Sequence, residues 1–167
     1  MTRRFIISAL TALTMMALVS SGVFAGSTPT QSRGAQQISG IGYYAGETEC
    51  TKYDASYKLI LTGSLEGCHY VTIETQRCLE NGVYYETGRE TFDGKYEGQD
   101  GTFTTTYVFT GRYADCNAFV GEIFGRCQHP FVNGSGTGVF AGIREARLDM
   151  RDDVVEVKFP YKGHILF

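Results

Sequence analysis

The chain has 167 residues, a formal net charge of −3, five cysteines and no tryptophan. That length fits one domain able to bury a proper core. The mildly acidic balance argues against a nucleic-acid partner, whose phosphates need a basic face.

The first 25 residues read as a secretory signal peptide. Arg3 and Arg4 supply the positive start, an apolar run follows to Val19, and Val23-Phe24-Ala25 offers small residues where a signal peptidase cuts. A spanning helix would need roughly 20 apolar residues and a stop signal, so no membrane anchor is expected after cleavage. Residues 26–38, rich in Ser, Thr, Gln and Gly, read as a flexible leader, and residues 39–167 as the domain. The expected location is therefore secreted or periplasmic.

Within the domain the signals are those of strands. Residues 57–65 are β-rich, and in 69–77 Val71 and Ile73 alternate with Thr72 and Glu74. Asn81-Gly82 is a strong hairpin signal, with 83–92 as the return strand. A turn is expected at 98–101. The next strand carries Phe103, Tyr107 and Phe109 on one face. Residues 118–128, 139–143 and 146–150 follow, and Asp152-Asp153 is expected to turn the chain into a last strand from Val154 onward. Short strands with turn chemistry between them imply an all-β barrel or sandwich.

An exported chain meets oxidising conditions, so disulfides are the default for Cys50, Cys68, Cys78, Cys116 and Cys127. Five is odd, leaving one thiol over. No pair has CxxC spacing, which weakens a zinc reading, and no metal or other cofactor is expected. Cys68 and Cys78 end one strand, roughly 33 Å apart at about 3.3 Å per residue. A disulfide needs Cα atoms within about 7 Å. The same argument separates Cys116 from Cys127. Counting up-and-down turns pairs Cys68 with Cys127 and Cys78 with Cys116, and leaves Cys50 free. Cys50–Cys78 and Cys50–Cys116 stay open as alternatives. A free Cys50 would be available to a second copy of the chain, so a homo-oligomer is one expected arrangement.

The run at 133–143, "NGSGTGVFAGI", invites a phosphate-loop reading. It lacks the Lys of a P-loop, and β-like residues follow it where a dinucleotide loop would open a helix. Its glycines read instead as backbone devices at a turn or bulge. Asn133 begins an N-glycosylation triplet. The longer stretch "GSGTGVFAGIREARLDM" resembles the glycine-rich strand pair of the allene oxide cyclase and dirigent-like barrels, through Gly136, Gly138, Phe140 and Gly142. Glu145 departs from the pattern where those families have a further Gly. The resemblance implies a single eight-stranded antiparallel barrel with an apolar interior, here disulfide-braced. It also implies a small hydrophobic ligand whose cyclisation or isomerisation the barrel steers. None of those enzymes' catalytic residues maps onto this chain.

No nucleophile elbow and no HExxH motif is present. The candidates for chemistry are therefore mid-strand acids and histidines. Glu74, Glu86 and Glu122 lie mid-strand, where an inward acid would be a candidate base. Glu122 shares its strand face with Phe124 and Arg126, which suits an outward or paired role. His69 and His129 each follow a cysteine closely. The expectation is two strand-end or loop histidines, with a shared site as the alternative. Tyr107 could orient a ligand, and Phe103, Tyr107 and Phe109 form the expected apolar wall. Missing a catalytic constellation, the chain reads first as a binding or structural protein, with the cyclising barrel as the alternative.

Overall fold

Asn81-Gly82 does turn the chain. It joins β3 (Leu65–Cys78) to β4 (Val83–Tyr96), with Gly82 at a φ of +79° and the Val83 amide donating to Asn81 Oδ1 at 3.2 Å. The computed structural model describes residues 34–167, and the expected signal peptide and most of the expected leader lie outside them. β1 (Ala35–Tyr44) begins earlier than the expected domain start at residue 39. The other elements are β2 (Tyr57–Gly63), β5 (Gln99–Asp115), β6 (Val120–Pro130), the two-residue β7 (Thr137–Gly138), β8 (Glu145–Arg151) and β9 (Phe159–Leu166). No helix occurs among the described residues.

Eight strands close into one antiparallel barrel. The order runs β1-β2-β3-β4-β5-β6-β8-β9, and β9 pairs back onto β1. Closure leaves no open edge for another chain to extend. β7 lies outside this ring as a strap, pairing Thr137 and Gly138 with Thr102 and Gly101 of β5.

Three places differ from expectation, one being residues 139–143, which make turns in place of the expected strand. The expected turn at 98–101 falls on Glu97 and Gly98, which both hold positive φ and make a two-residue hairpin loop, so β5 starts at Gln99. After Asp153 the chain does not enter a strand at once. The Asp153 carboxylate accepts from the Val155 and Glu156 amides, Val157 holds a φ of +52°, and β9 starts only at Phe159.

Strand pleat fixes what faces the interior. On β4 the even positions point inward: Tyr84, Glu86, Gly88, Glu90, Phe92 and Tyr96 are buried in turn. Opposite Phe92 stand His69 on β3 and Phe103 on β5. One end of the barrel is filled by Phe92, Phe103, Phe140, Leu61, Leu65, Leu148 and Ile165. The glycine run builds this plug. Gly138 holds a φ of +57°, and a Cβ there would lie 2.2 Å from the Asp100 carbonyl oxygen. The chain can thus press against β5 and insert Phe140, which is fully buried. Its glycines are backbone devices, as the sequence implied.

Two disulfides brace the wall, which fits an oxidising, extracellular or periplasmic setting. Cys78–Cys116 forms as expected, with Cα atoms 5.6 Å apart. The expected Cys68–Cys127 bridge does not form. His69 faces inward, so its neighbour Cys68 faces outward, whereas Cys127 points into the barrel. The wall separates the two sulfurs. Cys68 pairs instead with Cys50, at a Cα distance of 5.5 Å. The β1–β2 loop reaches Cys68 along the outer wall, held there by a Lys52–Asp93 ion pair and an edge-on Tyr53–Tyr70 contact at 4.9 Å. Cys50 is therefore not free, and the thiol expected to reach a second copy is committed. The remaining free cysteine is Cys127, and it is buried.

Candidate functional site

The barrel end opposite the plug holds a cavity of about 640 Å³. That size falls within the range of small-molecule sites. Eight strands leave just enough interior either to be filled or to hold one small ligand. Here the closed end is filled and the other end is not. Tyr44, Tyr57, Tyr84, Phe109, Tyr113 and Phe119 supply much of the wall.

The floor is polar and ordered. On β4, Glu86 accepts hydrogen bonds on both carboxylate oxygens, from Tyr84 and from Tyr107, each at 2.7 Å. Burial and the neighbouring Glu86 raise both phenols above their ordinary value, so they remain protonated donors. The Tyr107 ring lies across Gly88, where a Cβ would come within 2.7 Å of it. A glycine in mid-strand here makes room for that ring.

Two inward steps deeper on β4, past Gly88, lies Glu90. Its Oε2 accepts from Thr105 Oγ1 at 2.5 Å and contacts His129 Nδ1 at 2.6 Å. Its Oε1 stands 3.2 Å from His69 Nε2, outside good hydrogen-bond geometry. Burial alone would push the Glu90 carboxyl up. The charges and contacts of His129 and His69 outweigh that and hold it well below the usual carboxylate range. Tyr107 stacks on His129 at 6.4 Å between centroids, and Cys127 Sγ lies 3.9 Å from His129 Nδ1. Burial, with the charge of Glu90 next, pushes the Cys127 thiol far up, so it is held as a neutral group.

The rim carries a second acidic pair. Asp152, after β8, lies beside Glu122 of β6. Burial first, and Glu122 second, raise the Asp152 carboxyl to about 8. Glu122 faces the cavity for a reason that alternation hides. Between β5 and β6 the register slips, so that Tyr113 opposes Glu122 while Arg112 opposes Phe124. Ile123 is the extra residue of a β-bulge, and it puts Glu122 on the opposite face from Phe124 and Arg126. The shared face expected for these three is thus corrected.

The sequence candidates separate cleanly. Tyr107, His129, Glu86 and Glu122 belong to the interior, and Phe109 lines the cavity. Phe103 packs in the plug instead, opposite Phe92. Glu74 is the bulged residue of β3, exposed and ion-paired with Arg89 at 3.0 Å. His69 lies inside β3, and His129 is the next-to-last residue of β6, a strand-end histidine as expected. They share Glu90, which sequence reasoning did not single out. His164 stays apart, 3.5 Å from Glu145. Comparison with protein-family models, with curated proteins and with solved structures finds no match to this chain.

Proposed function

We propose that the chain is an exported binding barrel, delivered by its N-terminal signal peptide. Its open-end cavity takes one small molecule with a largely apolar body and a neutral or cationic head. The observation that carries this is the cavity itself: aromatic walls above a floor of fixed polar groups, in a barrel otherwise packed shut. The charge of the lining narrows the ligand class. Glu86, Glu90, Glu122, Asp152 and Asp153 line it, with no Lys or Arg. A carboxylate, sulfate or phosphate head would meet mainly like charge there, from Glu86, Glu90 and Glu122, whereas an ammonium or hydroxyl would meet acceptors and ring faces. The resemblance to the allene oxide cyclase and dirigent-like barrels supports a hydrophobic ligand.

Isothermal titration of the oxidised protein, with chelator present, tests this using two probes of one shape. 2-Naphthylmethylammonium should bind at least about tenfold more tightly than 2-naphthylacetate, a difference of about 1.4 kcal/mol. Ile73→Trp, which narrows the cavity from β3, should weaken binding while leaving the circular dichroism spectrum intact. Equal binding of the two probes, or none of either, would sink the proposal.

A second reading rests on the 2.6 Å contact between His129 and Glu90. An imidazole oriented by a carboxylate at a cavity floor is the arrangement of a general base. The floor would then move a proton on the bound molecule, as an isomerisation by proton transfer requires. Deuterium uptake by the bound molecule in D₂O, lost in His129→Gln, would support it. Exchange at an equal rate in the variant would remove it.

A further inference from the structure

We infer that His69, Glu90 and His129 form a binding site for one divalent transition-metal ion of the zinc type. One ligand atom from each residue lies within 4.8 Å of the other two. They come from three different strands, β3, β4 and β6, so the barrel wall, and no flexible loop, sets their spacing. All three are almost wholly buried, at 1%, 2% and 2% exposure.

The histidines carry the second, independent observation. Neither ring nitrogen of His69 has a hydrogen-bond partner among the described residues, and neither does Nε2 of His129. Buried polar atoms are paired in the great majority of cases, and each exception requires a reason. Packing does not supply one here, since an apolar ring would fill the same space without the desolvation cost. A cation drawing on these nitrogens would.

The donor set selects the ion. Two imidazoles and one carboxylate suit zinc and its first-row neighbours, at bond lengths of about 2.0–2.2 Å. Calcium and magnesium call for oxygen cages that this site lacks. Outer partners are also in place. Thr105 donates to Glu90 Oε2 and Tyr107 stacks on His129, which fixes both side chains. Glu90 and His129 border the cavity and His69 does not, so a further coordination position would open towards the cavity. Three protein ligands and one open position distinguish a working site from a structural one. The inference stands on this geometry and does not depend on the ligand proposed above.

The test uses untagged, disulfide-intact protein stripped with chelator and titrated with Co²⁺, then with Zn²⁺. One equivalent of Co²⁺ per chain should bind, with visible ligand-field bands and hyperfine-shifted proton resonances from two imidazoles, and Zn²⁺ should displace it. Zinc at a hundredfold excess over Kd should raise the melting temperature by about 10 °C. His69→Gln, Glu90→Gln and His129→Gln should each weaken binding by about a hundredfold or more. His164→Gln should leave it within about twofold, since that histidine lies outside the cluster. Absence of stoichiometric binding, signals from fewer or more than two imidazoles, or loss of the ion in His164→Gln would overturn the inference. The two-imidazole signature is read on the unmutated protein, so a variant that fails to fold leaves the test decisive.

Discussion

Replacing Phe140 by alanine would remove the ring that closes the barrel. Phe140 is fully buried, edge-on to Phe103 at 4.9 Å and to Phe92 at 5.8 Å, and tilted against Tyr96 at 6.2 Å. Burying such a side chain is worth about 1.5–3 kcal/mol, and each edge-on pair adds about 0.5–1.5 kcal/mol. The gap cannot close by collapse, because the strap is already hydrogen-bonded to β5 through the Val139 amide and the Asp100 carbonyl at 3.0 Å. The expected loss is therefore about 3–5 kcal/mol, the range for a phenylalanine deleted from a rigid core. Urea unfolding of the oxidised variant, followed by circular dichroism, measures it directly. Phe140→Leu keeps most of the volume and should cost much less. The open-end cavity shares no lining residue with this plug contact, so probe binding should persist in both variants at low denaturant. A loss below about 1 kcal/mol for Phe140→Ala would refute the reasoning, because the glycine run would then not be seating a plug.

The two disulfides close loops of different length, with sequence separations of 18 and 38. On the chain-entropy account Cys50→Ser/Cys68→Ser should cost about 3 kcal/mol and Cys78→Ser/Cys116→Ser about 4 kcal/mol in urea unfolding. Without reductant, an aromatic disulfide reagent should count one thiol per chain in denaturant and almost none in the native state, because Cys127 is buried and its thiol is held neutral. Asp152 sets a pH slope. Its carboxyl moves from an ordinary 3.8 to about 8 on folding, so between those values the folded state holds more protons than the unfolded one. Stability should therefore fall as pH rises from about 4 to 8, and Asp152→Asn should remove that slope. Melting curves across this range should show the variant gaining on the parent as pH rises, and parallel curves would contradict the assignment.

The fold was legible because its signals are local. Asn81-Gly82 names a hairpin by backbone chemistry alone, and the β-branched run from Thr102 onward can hardly be anything but a strand. The site was less legible because it depends on which face is inside. On β4, Glu86 and Glu90 alternate with Thr87 and Arg89, so both faces look polar and period two cannot choose between them. The bulge at Ile123 then inverts the face of Glu122, and the bulge at Glu74 inverts the strand after it, so that Gln76 joins Ile73 in the cavity lining. Both insertions are tertiary, set by strand pairing. The Cys68 pairing failed for a related reason: turn counting tells neither which side of the wall a cysteine faces nor how far along its strand it lies, and Cys68 stands level with Asp93 and Thr102 while Cys127 stands opposite Phe109. A usable signal did exist for the histidines. Once His69 is set opposite Phe92 in the hairpin register, Glu90 lies one inward step away, and the shared site follows.

The account rests on the open-end cavity being the place where a small molecule is held. Intermolecular nuclear Overhauser effects from bound 2-naphthylmethylammonium, in the isotope-labelled oxidised protein, test that most directly. The account predicts contacts from the naphthyl ring to Tyr84, Phe109 and Tyr113, with the ammonium methylene nearest Glu86. Contacts confined to outer-wall residues such as Tyr43, Val108 and Val155, with none inside, would contradict it.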